Sequence, residues 1–204
     1  MSDRKQIFFT ADYHLGHKNI ITYDNRPFRD VHHMHQVLIN NYNSTISKDS
    51  ICYFLGDMGM CSTDIVKSVL DHLNGTKVLI LGNHDKGINA MYRAGFAAVM
   101  YGMYLQIANE QVSLTHCPLR KTIREDVSGM KGAKDGEAWH GESRNNKFSI
   151  TDNGQFHLHG HVHSKSENKI LNRQFDVGVR ANNYTPVNIS AIERWIASAM
   201  RGGK

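Results

Sequence analysis

Lys77 to Asp85 reads KVLILGNHD. Val78, Leu79, Ile80 and Leu81 are apolar on consecutive positions, which suits a strand buried on both faces rather than one with a wet side. The run stops at Gly82, and Asn83, His84 and Asp85 follow, three side chains able to bind a cation or move a proton. Two earlier stretches repeat the pattern. Ile7 to Ala11 (IFFTA) ends at Asp12, and Ile51 to Leu55 (ICYFL) ends at Gly56-Asp57. Between the first two, Val31, Met34, Leu38, Tyr42 and Ile46 recur at helical spacing. Between the second and third, Ile65, Val69, Leu70 and Leu73 share one helical face. Strand, helix, strand, helix, strand is the order of an α/β layered fold. Its polar strand ends lie where open α/β sheets bind ligands.

Beyond a short helix near Ile88 to Arg93 the chain turns β-rich. Ala98 to Ile107 and Gln111 to His116 read as strands joined by a turn at Asn109-Glu110. Phe156 to His163 (FHLHGHVH) and Phe175 to Val179 (FDVGV) read as further strands. A last helix is expected from Ser190, with Ser190 as N-cap and Glu193 completing a capping box. Two sheets packed together with flanking helices are expected for the whole, in a single domain spanning 1–204. Arg120 to Asn146 breaks the rhythm, being rich in Lys, Arg and Gly with little apolar periodicity. It reads either as a basic lid or as a solvated loop.

The 204 residues carry 24 Lys and Arg against 19 Asp and Glu, a net charge of +5. That balance suits an anionic partner such as a nucleotide or nucleic acid, although many basic proteins have none. No stretch is apolar enough to span a bilayer and the opening residues lack the apolar run of a signal peptide, so a cytoplasmic location without membrane association is expected. Cys52, Cys61 and Cys117 form no CxxC pair and read as free thiols. No obligate protein partner is implied.

Five short pieces carry the chemistry: Asp12-Tyr13-His14, Gly56-Asp57, Gly82-Asn83-His84-Asp85, Thr115-His116 and Gly160-His161-Val162-His163. Residues i and i+2 of a strand share a face, so Asp12 and His14 can point at one ion, and His161 and His163 stand at the same spacing. Mixed carboxylate, amide and imidazole donors suit Mn, Fe, Zn, Ni or Co better than Ca.

In this order, the set D-x-H, GD, GNHD, H and GHxH resembles the signature of the calcineurin-like metallophosphoesterase superfamily, over Asp12 to His163. DYHLGHKNI followed by DNRPF is further similar to small bacterial and phage phosphoesterases. The resemblance implies a four-layer α/β/β/α sandwich of two mixed sheets. It implies two divalent metals, Mn foremost, with Fe, Zn, Ni, Co or Mg as alternatives. Asp12, His14 and His163 would bind one, Asn83, His116 and His161 the other, and Asp57 would bridge them. His84 would be the catalytic acid. Hydrolysis would proceed by attack of a hydroxide held between the metals. Where many members continue GDxxD, with the last Asp orienting the catalytic histidine, this chain has Met60. Asp85 or a backbone carbonyl would have to take that part.

The substrate expected is a phosphate ester, by analogy with the superfamily a phosphodiester of a nucleotide or nucleic acid. A phosphomonoesterase acting on nucleotides or proteins, a nuclease within a larger complex and a non-catalytic binding module on the same fold are the alternatives. The intact donor set and His84 speak against the last. His17 is either a substrate contact or a helix-start residue. Arg26, in DNRPF, is either a bidentate phosphate clamp or an ordinary surface ion pair. His32, His33 and His35 read as a solvated helix face, His72 as surface, and His157 and His159 as packing neighbours of the site. Cys117 reads as a small buried residue.

Overall fold

The apolar runs become strands in the computed structural model, which describes residues 6–120 and 147–202. The expected lid, past Arg120, lies outside them. Strands β1 (Ile7–Thr10), β2 (Ile51–Phe54), β3 (Thr76–Ile80) and β4 (Ala98–Met100) run parallel in that order. The intervening segments fold as α1 (Lys18–Tyr23), α2 (Val31–Thr45), α3 (Thr63–Leu70) and α4 (Ile88–Ala94). A second sheet combines β5 (Met103–Ile107), β6 (Glu110–Leu114), β7 (Phe156–His159), β8 (Ile170–Leu171) and β9 (Gln174–Asp176) in the order β5-β6-β7-β9-β8, with β6, β7 and β9 parallel. Finally β10 (Val187–Asn188) returns to pair antiparallel with β1, and α5 (Ile189–Gly202) closes the described chain. Both sheets are mixed.

Alternation along the central strands explains the packing. Phe8, Cys52, Phe54 and Leu79 point into a cluster with Met34, Leu38 and Tyr42 of α2 and Val66, Val69 and Leu70 of α3. Their neighbours Phe9, Leu55 and Ile80 point the other way, into a cluster with Val112, Leu114, Phe156, Leu158 and Phe175 of the second sheet. Consecutive apolar residues are therefore both buried, one under helices and one between sheets. Helix α5 enters the same inter-sheet cluster through Ile192, Trp195 and Ile196, with Trp195 edge-on to Phe156 and Phe175.

Three expectations need correction. Ala98 to Ile107 is not one strand. It breaks at Tyr101-Gly102 into β4 of the first sheet and β5 of the second. A Cβ on Gly102 would lie 3.0 Å from Thr115 Cγ2 and 3.1 Å from Leu114 O, so the glycine lets the chain cross close against β6. The last helix is capped by Asn188, whose Oδ1 accepts the Ser190 N–H at 2.9 Å, so Ser190 sits inside the helix. In α3 Val69 and Leu70 are buried as expected, as is Leu73 just beyond the helix, but Ile65 is exposed and Val66 takes its place on the buried face.

Candidate metal centre

The five motifs all fall just past strand ends. Asp12 and His14 follow β1, Asp57 follows β2, Asn83 follows β3, His116 follows β6, and His161 and His163 follow β7. Because β1 to β3 are parallel, and β6 and β7 are parallel, these ends gather on one edge of each sheet. Backbone bonds stitch the edges together: Asp12 N–H to Gly56 O, His14 N–H to Asp57 O, Gly160 N–H to His116 O and Val179 N–H to Ala11 O. The chain has left the strand before the motif residues are reached, so strand alternation is not what aims Asp12 with His14 or His161 with His163. All four, together with Asp57, have left-handed backbone, with φ of 61°, 51°, 71°, 49° and 54° respectively.

The seven expected donors converge. His14 Nε2 lies 3.0 Å from His163 Nε2, and His163 Nε2 lies 3.7 Å from Asp12 Oδ1. His116 Nε2 lies 3.0 Å from Asn83 Oδ1 and 3.1 Å from His161 Nδ1. Between the two sets stands Asp57. Its Oδ2 is 3.5 Å from His14 Nε2 and 3.4 Å from His116 Nε2, while its Oδ1 accepts the His84 backbone N–H at 3.0 Å. Metal–donor bonds of about 2.1 Å set neighbouring donors roughly 3.0–3.5 Å apart, so this spacing fits a cation in each set.

The donor chemistry fits as well. His116 Nδ1–H donates to Leu55 O at 2.7 Å, which turns the Nε2 lone pair toward Asn83 Oδ1, Asp57 Oδ2 and His161 Nδ1. Acceptors converging in a buried shell require positive charge among them, a proton or a metal ion. Without a metal the groups adjust their protons. Burial pushes the Asp12 carboxyl up to about 7 and lowers His14 and His161 to about 3. Burial works against charge on His116 too, but Asp57 and Asp12 outweigh it and raise the imidazole to about 9. Burial likewise opposes ionisation of Asp57, and the imidazoles of His116 and His14 reverse that, holding it below the usual carboxylate range.

Glycines make the room. A Cβ on Gly82 would strike Asp57 Oδ1, and one on Gly160 would lie 2.7 Å from Asp12 Oδ2 and 2.6 Å from Ala11 Cβ. The motif glycines are thus the spaces into which two carboxylates fit.

His84 is exposed and meets His14 edge to face, the ring centroids 5.6 Å apart. Asp85 does not orient it. The Asp85 carboxylate accepts the backbone N–H groups of Asp57, Met58 and Gly82 at 3.0, 2.8 and 2.9 Å, tying the loop after β2 to the loop after β3. Met60 is exposed. His17 caps the start of α1 without a side-chain bond, its ring 6.0 Å from that of His14.

Arg26 is neither a phosphate clamp nor a surface ion pair. Its side chain is fully buried, and it donates to Asp24 Oδ2 through Nε at 3.0 Å and Nη2 at 2.9 Å. The same Asp24 oxygen accepts from His163 Nδ1 at 2.8 Å. The sequence reading missed Asp24. Its signal was an Asp two residues before an Arg in a short polar turn, which also describes many surface loops. His35 is not simply solvated either, since its Nε2 accepts the Gly16 N–H at 3.0 Å. His157 and His159 are buried as expected, His157 between Ser113 Oγ at 2.9 Å and Cys117 O at 3.1 Å. Cys117 is buried, and burial raises its thiol to about 12. His32 and His72 are exposed.

Fold and site define an α/β protein of two mixed sheets, with flanking helices, whose strand ends collect a compact group of His, Asp and Asn donors. No protein-family model matches the chain. The uncharacterized protein MJ1445 of Methanocaldococcus jannaschii is 30% identical over 203 residues, covering 96% of this chain and 93% of that protein. The Gene 66 protein of Mycobacterium phage L5 is 31% identical over 184 residues, covering 85% and 86%, and that of phage D29 is 30% identical over 190 residues, covering 86% and 88%. The chain belongs to the family of these proteins. A protein of unknown function from Aquifex aeolicus, AQ665, has the same fold, with a TM-score of 0.67 over 94% of this chain and all of that one at 21% identity. Among the described residues no helix is long and apolar enough to cross a membrane.

Proposed function

We propose that this chain is a metal-dependent phosphoesterase of the calcineurin-like type, with the four-layer α/β/β/α arrangement of that fold. It would hydrolyse a phosphate ester, preferably a phosphodiester of a nucleotide or nucleic acid. The observation that carries the reading is the convergence of seven donors into two sets that share Asp57 Oδ2, at 3.5 Å from His14 Nε2 and 3.4 Å from His116 Nε2. Asp12, His14 and His163 would hold one divalent cation and Asn83, His116 and His161 the other, with Mn the first choice for imidazole, amide and carboxylate donors. When bound, such a pair supplies Lewis acidity toward phosphoryl oxygens and acidifies water.

The chain's own groups do the rest. The His84 N–H holds Asp57 Oδ1, so a single Asp57 oxygen faces both sets. Asp24 and Leu55 O each fix one imidazole so that its Nε2 faces inward. His84, exposed beside His14, has its ring available to protonate the departing oxygen of the ester. His17, its ring 6.0 Å from that of His14, would be a substrate contact. The preference for nucleotide or nucleic-acid esters draws support from the net charge of +5.

The test is hydrolysis of bis(p-nitrophenyl) phosphate beside p-nitrophenyl phosphate, with Mn²⁺, by the wild type and by Asp57→Asn. Diester turnover that disappears in Asp57→Asn is the expected result. Turnover of the monoester alone would replace the diesterase reading by a phosphatase. No turnover of either substrate by Mn-loaded protein would overturn the enzymatic reading in favour of a binding module.

A further inference from the structure

One guanidinium is tied to a single donor set, directly at the Asp12 carbonyl, at the Tyr13 carbonyl that precedes His14, and through Asp24 at His163. Arg26 Nη2 donates to Asp12 O at 3.0 Å and Nη1 donates to Tyr13 O at 3.2 Å, which grips the turn in which Asp12 and His14 take left-handed backbone. Nε and Nη2 both bind Asp24 Oδ2, and that oxygen holds His163 Nδ1 at 2.8 Å. Arg180 Nη1 adds a bond to His163 O at 2.7 Å. Arg26 is 4% exposed and Asp24 7%, so these bonds are shielded from water and charge-assisted. The other set is oriented differently, its His116 by the neutral carbonyl of Leu55.

We propose that Asp24 and Arg26 are positioning residues that set the affinity of one cation of the pair, the one held by Asp12, His14 and His163. The inference rests on the metal-centre reading above and deepens it. The carboxylate on His163 Nδ1–H fixes the tautomer and ring plane and makes Nε2 a stronger donor. The guanidinium keeps Asp24 in place and holds the Asp12 and Tyr13 carbonyls, so the turn is formed before a cation arrives. Loss of such an outer partner weakens metal binding by about 10- to 100-fold.

Asp24→Asn keeps the shape and removes the charge. Mn²⁺ binding is measured by calorimetry, and the bound ions are read by electron paramagnetic resonance, with thermal unfolding in chelator as the control for folding. The wild type is expected to bind two ions and give an exchange-coupled spectrum. Asp24→Asn is expected to keep one ion at wild-type affinity, bind the other about 10- to 100-fold more weakly, and give the spectrum of an isolated ion at limiting Mn²⁺. Should it fail to fold in chelator, Arg26→Lys, which keeps a charge but loses the fork, is judged by the same criterion. Unchanged binding of both ions, or equal weakening of both, would overturn the inference alone. A wild type that binds no pair would overturn the metal-centre reading with it.

Discussion

Left-handed backbone at Asp12, His14, Asp57, His161 and His163 is costly for residues with a Cβ, of the order of 1 kcal/mol or more each. The surrounding bonds hold it: Arg26 on the Asp12 and Tyr13 carbonyls, Asp85 on the Asp57 N–H, and Asp12 on the His161 N–H at 3.0 Å. Such strain aims side chains from the loops after β1, β2 and β7 inward. His84 stands outside this framework. Its backbone N–H serves Asp57, whereas its ring lies edge to face with that of His14. His84→Ala should therefore retain both metals and the fold, and lose about 10²- to 10⁴-fold in kcat, the usual scale for a general acid. Metal content and kcat on the same sample check this, and unchanged turnover would remove His84 from the chemistry. The seven donors were legible as residue types after apolar runs. The Asp24–Arg26 pair was not, because burial of a charged pair depends on where a turn folds back, which the DNRPF letters do not encode.

Elements place the donors, and glycines decide how closely the elements approach. Loops after β1 and β7 meet where Gly160 faces Ala11 and the Asp12 carboxylate. A methyl group there forces backbone or carboxylate to move, so Gly160→Ala should destabilise the metal-free protein by about 1–3 kcal/mol, the usual cost of overpacking. It should also weaken Mn²⁺ binding, because Asp12 Oδ2 is one of the displaced atoms. Denaturant unfolding in chelator and metal titration together test it, and a variant with wild-type values in both would mean that the loops have slack. Strands flanked by clear breakers were read correctly to within a residue or so, as at Ile51–Phe54 and Thr76–Ile80. Ala98 to Ile107 misled because its residues suit a strand throughout. Its change of sheets shows in the pairing, β4 with β3 and β5 with β6, and Gly102 lets the chain pass close to Thr115 at that break. Short β10, paired with β1 from far along the chain, had no local signal at all.

On the scale of the whole molecule the donor group joins the two sheets, since Asp12, His14, Asp57 and Asn83 follow strands of the first and His116, His161 and His163 follow strands of the second. A cation bound across that seam stabilises the folded chain by mass action. A free ion at about a hundred times its Kd adds about 2.7 kcal/mol, which for a chain of this size raises Tm by roughly 5–10 °C. The effect must depend on pH. In the metal-free protein Asp12 keeps its proton up to about 7 and His116 up to about 9. Cations bind the unprotonated forms, so below these values binding has to displace protons, and apparent affinity climbs as pH rises through them. The Tm gain from Mn²⁺ should therefore grow from about pH 6 to about pH 8.5 and shrink at every pH in Asp57→Asn, which weakens the shared anion. Thermal unfolding with Mn²⁺ and with chelator across that range measures it. A gain that is large but independent of pH would mean that the ion binds away from His116 and Asp12. No gain at all would separate the cohesion of the two sheets from metal binding, and leave it to Phe9, Leu55, Ile80 and the residues they meet across the core.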